Sequence, residues 1–187
     1  AIKSVSSNLS APSAEGQIWF NTTDNKFRSV VSLGSWSSST NAPFKSVAAG
    51  ATGPQTANLI FSGYGNPATP AGILTTAEYN GSTWTALTGL TGGRIYPQGA
   101  GTTNADNARS IGGRNTSGSS ITETLIHDGT AWATQPSLAA ARQNAAAGGV
   151  CSTSAAATVI SGSPLPSSTE NFTGETETVT ASTLTSS

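Results

Sequence analysis

Apolar residues in this chain fall in short runs that end at glycine or at turn-forming residues, and the runs recur. "NLIFSGYG" (58–65), "ARSIGG" (108–113) and "TVISG" (158–162) are three such stretches. Each is followed by a polar loop and then by "TTAEYNG" (75–81), "ETLIHDG" (123–129) or "TENFTG" (169–174). "STWTAL" (82–87) and "TAWATQ" (130–135) come next. Short apolar runs bounded by Gly, Asn and Asp predict strands, not helices. Asn80-Gly81 and Asp128-Gly129 predict two-residue hairpins of type I′, in which both turn residues take positive φ.

The runs keep a register. Trp36, Trp84 and Trp132 stand at intervals of 48, as do Gly53, Gly101 and Gly149. Leu90 and Leu138, Arg94 and Arg142, and Gly81 and Gly129 share that interval. A period of this length points to a propeller or solenoid array. One more strand per period comes from "FKSVAAG" (44–50), "RIYPQGAG" (94–101) and "RQNAAAGG" (142–149), with Pro97 shortening the middle copy. "SLAAARQNAAAGG" favours a helix by propensity alone, but its register matches strand copies. Near the N-terminus, "QIWF" (17–20) and "KFRSVV" (26–31) flank a turn and make an imperfect first copy. At the far end position 180 holds Thr180, so the last copy lacks its Trp.

The fold expected is therefore all-β, a β-propeller-like array of four-stranded blades. Residues 1–36 form a reduced blade or attachment segment, 37–180 three repeats (about 37–84, 85–132 and 133–180), and 181–187 a tail. Closure gives either a small four-bladed propeller or three blades that close by oligomerising. Trp36, Trp84, Trp132, Gly81 and Gly129 are the expected structural residues of the repeat.

Composition narrows the function. Charged residues are 9% of the chain and the formal net charge is −1, which argues against a nucleic-acid partner or an anionic membrane surface. No apolar run approaches the roughly 20 residues of a membrane-spanning helix. Cys151 is the single cysteine, so an intrachain disulfide is excluded. One His and one Cys cannot make an ordinary zinc site, and no cofactor is expected.

"EGQIWFNTTDNKFR", "TAEYNGSTWTAL" and the Ser/Thr-rich ending "VTASTLTSS" resemble the kelch-like repeats of marine and cyanobacterial phage virion proteins. The chain departs from that pattern at His127, where Tyr is expected, and in the third copy, which has no Trp. The resemblance implies propeller-like blades on a virus particle, as a fibre, knob or decoration, and no catalytic activity.

The candidate chemistry agrees with a non-enzymatic part. His127 takes the place of the core-type Tyr79 of the preceding copy. Glu78, Glu123 and Glu170 each precede a hairpin, which repeats one position instead of building an asymmetric pair for glycoside cleavage. Arg94 and Arg142, ten residues after their tryptophans, suit an inter-blade hydrogen bond or a ring-stacked guanidinium; the rival role is a ligand contact. The loops around Tyr64, Asn66 and Asn115 vary most between copies, and variable loops on a fixed frame often carry binding. The expected role is a virion structural protein with other virion proteins as partners and a homo-oligomeric state. A carbohydrate-binding module recognising a host surface glycan is the alternative, and a polysaccharide-cleaving enzyme the least favoured.

Overall fold

The computed structural model describes residues 2–10, 16–30, 34–65, 72–101, 107–148, 156–165 and 167–174. Asn66, Gly149, Cys151 and Thr180 lie outside the described residues. The chain is all-β, with several antiparallel sheets, none closed on itself. It divides into two compact units, residues 1–39 and 40–187.

The first unit is one three-stranded sheet. β2 (Ile18–Asn21) and β3 (Lys26–Ser29) form the expected antiparallel hairpin, and β1 (Lys3–Val5) adds to β2 in parallel. Trp19 is buried, and Phe20 meets Phe27 edge to face at 5.3 Å. Trp36 is fully exposed and outside any strand. This corrects its expected burial in the chain's own repeat core: Trp84 and Trp132 each follow a hairpin of their own sheet, whereas β3 ends seven residues before Trp36.

The second unit holds three successive sheets whose strands lie in chain order. The first repeat sheet is β4 (Gly50–Thr52), β5 (Asn58–Phe61), β6 (Thr76–Tyr79) and β7 (Trp84–Leu87). After the short β8 (Arg94–Ile95), the second is β9 (Gln98–Ala100), β10 (Ala108–Ile111), β12 (Thr124–His127) and β13 (Trp132–Gln135). The remaining short strand, β11 (Arg114–Asn115), pairs with β8. The third repeat sheet is β14 (Ala146–Gly148), β15 (Ala157–Ile160) and β16 (Thr169–Phe172). The Ala-rich patch runs into β14, and no α-helix occurs among the described residues. Pro97 separates β8 from β9, because proline has no N–H to donate to a ladder.

The backbone repeats along with the strands. Ala48, Tyr96 and Asn144 stand 48 apart and all have φ of 53–55°, the left-handed conformation that costs a side-chain-bearing residue about 1–2 kcal/mol. Their recurrence ahead of each inner strand means the turn is imposed by packing.

The inner strands β4, β9 and β14 lie side by side, with β9 in the middle. A Cβ on Gly99 of β9 would stand 2.0 Å from the Ala51 carbonyl oxygen of β4, so only glycine permits this approach. Thr52 bridges the same two sheets by donating its hydroxyl to the Gly101 carbonyl at 2.7 Å. Between the first and second sheets sits a core of Leu59, Phe61, Leu90, Ala108, Leu125 and Trp132.

The hairpins differ from the expected type I′ turns. Tyr79 pairs with Trp84 and His127 with Trp132, leaving four residues in each connection. Gly81 and Gly129 take positive φ (93° and 92°), but Asn80 and Asp128 do not. The Asn80 side-chain oxygen instead accepts from the N–H groups of Ser82 and Thr83, and Asp128 accepts from Thr130 and Ala131. The side chain supplies the acceptor that a two-residue turn would take from the backbone.

Candidate functional site

The clearest arrangement of charged groups is built on Arg94 and Arg142. Both are fully buried. The Arg94 carbonyl accepts from Gly63 N–H at 2.9 Å and from the Ser62 hydroxyl, both in the connection that follows β5. Its guanidinium turns the other way, donating to the Glu123 carbonyl at 3.3 Å and pairing with the Glu123 carboxylate. Arg142 does the same one sheet on. Its carbonyl accepts from Gly113 N–H at 2.9 Å, while its guanidinium reaches Ser161, Ser168 and the Glu170 carboxylate. Each arginine ties one repeat sheet to the next.

Burial lowers the Arg94 pKa from its ordinary value, and the Glu123 carboxylate opposes that shift. An unpaired guanidinium in this position would be costly, and the charge-assisted bond to Glu123 offsets much of that cost. The glutamates are not one repeated position, which corrects the sequence reading. Glu78 is third in β6, Glu123 precedes β12, and Glu170 is second in β16. What recurs is the spacing from arginine, 29 residues for Arg94–Glu123 and 28 for Arg142–Glu170. In a chain this poor in charge, that spacing was the available signal.

Arg94 also lines a cleft of about 490 Å³ with Gly92, Gly93, Asn115, Thr122 and Glu123. Asn115 is opposite Arg94 in the β8–β11 pair. Its side-chain oxygen accepts from Ser119 N–H at 2.9 Å, closing the turn after β11. The structure therefore brings two of the sequence candidates, Arg94 and Asn115, to one cleft. Arg142 holds the equivalent position one sheet further along. Tyr64 does not line the cleft; it is half-buried, paired through its backbone with Val47 and Gly72, and edge-on to Tyr96 at 6.4 Å. Partial burial and the neighbouring Tyr96 raise its pKa.

His127 is buried and serves the hairpin, where Nδ1 accepts from Gly129 N–H at 3.1 Å and the ring packs edge-on to Trp132 at 5.1 Å. Its counterpart Tyr79 donates its hydroxyl to the Gly81 carbonyl at 2.9 Å and packs on Trp84. Trp132 is buried, whereas Trp84 is half-buried and donates its indole N–H to the Thr40 carbonyl at 3.0 Å. Sequence reasoning missed Arg109, which is fully buried with its guanidinium 4.8 Å from the centre of the Phe172 ring. Its repeat counterpart is Leu59, so periodicity alone pointed to an apolar residue.

No known protein-family model matches this chain, and no curated protein matches it.

Proposed function

We propose that this chain is a non-enzymatic structural component of a virus particle, at the capsid, tail or fibre. Its three repeat sheets act as blades of a propeller-like array. The observation that carries the reading is the use of the repeat's own charged residues. Arg94 and Arg142 are buried and bonded to two sheets each, so the groups best suited to chemistry hold the frame together. A frame fixed by internal ion pairs and bearing variable loops suits a protein that presents surface to partners. The resemblance to kelch-like phage repeats points the same way, with other virion proteins as those partners.

Catalysis finds little support. The cleft beside Arg94 is lined by one carboxylate, Glu123, and that group already holds Arg94; glycoside cleavage takes two carboxyl groups flanking one bond. His127 accepts a backbone N–H at Nδ1, where nucleophilic catalysis needs a base set against a nucleophile.

Peptide mass spectrometry of gradient-purified particles tests the role. The chain should be present in fixed proportion to the other particle proteins and survive a high-salt wash. Its production in infected cells without incorporation into particles would overturn the reading.

A second reading, recognition of a host surface glycan, is favoured by the same cleft. Asn115, Ser120, Thr122 and Glu123 offer amide, hydroxyl and carboxylate groups of the kind that meet sugar hydroxyls. A glycan array probed with the full chain and with Glu123→Gln would separate it from a purely structural role.

A further inference from the structure

The residues around Trp132 have counterparts one sheet further along the chain. Phe61, Thr76, Leu90, Ala108 and His127 correspond by strand position to Ile111, Thr124, Leu138, Ala157 and Phe172. Those five residues line a cleft of about 180 Å³ between the second and third repeat sheets. It is the place that the tryptophan of a complete third sheet would take. The chain has no aromatic residue after Phe172. Among the described residues β16 is the edge of its sheet.

The two ends of the array are also unlike its middle. Phe61, Ile111 and Ile160 each close the second strand of their sheet, and their exposure runs 0%, 3% and 50%. Thr76 and Thr124 open the third strand and are buried, whereas Thr169 is exposed. The first two sheets are covered by the sheet that follows, and Ile160 and Thr169 have no such cover among the described residues. At the other end Trp84 is half-buried, and Trp36, four residues before its partner Thr40, is fully exposed.

We propose that two copies of this chain join head to tail in a closed ring. Residues 36–39 of each copy add the fourth strand to the other's third repeat sheet, and Trp36 of each fills the other's cleft. The proposal rests on reading the repeat sheets as blades. The register follows from the complete sheets: Trp36 opposite Phe172 and Ser37 opposite Asn171, as Trp132 is opposite His127. Trp84 of the second copy then faces Ile160 and Thr169, as Trp132 faces Phe61 and Thr76.

Number and reach select a second copy. Closed propellers hold about four to eight blades. Counting the three all-antiparallel repeat sheets and not the first unit's sheet, whose β1–β2 pair is parallel, one copy is too few, two copies make six, and three make nine. A chain's own Trp36 lies within about 14 Å of its Thr40, the extended reach of four residues. Thr40 is bonded to Ser82 and Trp84 of the first sheet, and β9 lies between β4 and β14. In the hairpin register of His127, Gly129 and Trp132, the chain's own tail would bring Glu177 to the tryptophan place, where the lining offers Arg109 as a cationic neighbour beside Ile111, Leu138 and Phe172. An ion pair there would leave the apolar lining without the cover that an indole gives it.

Native mass measurement of the full chain, of Trp36→Ala and of Glu177→Ala tests the proposal. A second variant carries Cys151→Ser with Ser37→Cys and Asn171→Cys. The expected results are a dimer for the full chain, dissociation at least tenfold easier for Trp36→Ala, and an interchain disulfide in the double-cysteine variant that neither single-cysteine chain forms. A full chain that stays monomeric overturns the ring, as does a dimer untouched by Trp36→Ala or a disulfide closed within one chain. A monomer destabilised by Glu177→Ala would overturn it in favour of the chain's own tail. The blade reading stands or falls separately on Trp132→Ala: a chain that loses stability there but never dimerises keeps the blades and loses the ring.

Discussion

Trp132 of the second repeat sheet donates its indole N–H to the hydroxyl of Thr76 in the first, across 3.0 Å and 56 residues of sequence. The same indole meets Phe61 edge to face at 5.1 Å. One side chain therefore supplies both apolar area and a satisfied polar contact between sheets, the combination that lets a Trp be buried at low cost. Trp84, in the same register, has Tyr79 beside it at 5.0 Å and is only half-buried.

The two tryptophans should consequently differ under mutation. Trp132→Ala should cost about 3–5 kcal/mol, as for other large aromatics lost from a core. Trp84→Ala should cost clearly less, because much of that indole already meets solvent. Urea denaturation midpoints of the two variants check this, and equal losses would contradict the assignment of Trp132 to an inter-sheet core.

The arginine clamps make a second prediction. Arg142→Ala leaves the Glu170 carboxylate without its guanidinium at a largely buried site, and breaking such a pair from one side costs about 3–5 kcal/mol. Arg142→Met together with Glu170→Leu should recover part of that loss, since an apolar pair removes both charges. A double variant no more stable than Arg142→Ala would show that packing, not charge burial, sets the cost.

Close approach of the inner strands gives a third. Gly99→Ala sets a methyl group where the Ala51 carbonyl stands, so β4 and β9 must part. Gly148, the last residue of β14, has nothing within 4 Å of an added Cβ. Thermal midpoints should fall for Gly99→Ala and hold for Gly148→Ala.

Acid should act on the second hairpin and not on the first. Backbone N–H groups of Ala131 and Thr130 hold the Asp128 carboxyl below the ordinary carboxylate range. A folded-state pKa below the unfolded one gives stability that is complete above the unfolded value and is lost as pH falls through the folded value. Asn80 makes the equivalent bonds without titrating. Backbone amide shifts of Thr130 and Ala131, the two N–H groups bonded to the Asp128 carboxylate, followed from pH 6 to about pH 2 should move with a low midpoint, and Asp128→Asn should abolish that movement.

The strands of the repeat were legible because the interval of 48 is carried by β4 to β9 to β14 and by β6 and β7 to β12 and β13. Loop-length changes shift β5, β10 and β15 slightly off that interval without altering their place in the sheet. The turn type was not legible. Asn-Gly and Asp-Gly suit a two-residue turn, but the cross-strand pairs Tyr79–Trp84 and His127–Trp132 lengthen the connection, and the side chain of Asn80 or Asp128 then closes it. Trp36 misled for a different reason. It keeps the interval, yet burial depends on a neighbouring sheet that its own interval does not encode. The arginines were read as inter-blade ties or ligand contacts, and their partners Glu123 and Glu170 became clear only from the fold.

The most direct test of the side-by-side sheets is a double-mutant cycle on Phe61→Leu and Trp132→Phe, read by denaturation. These residues meet only if the first and second repeat sheets pack face against face. The predicted result is a coupling energy of about 0.5–1.5 kcal/mol, typical of an aromatic pair in contact. Effects that add to within about 0.3 kcal/mol would contradict the packing on which the account depends.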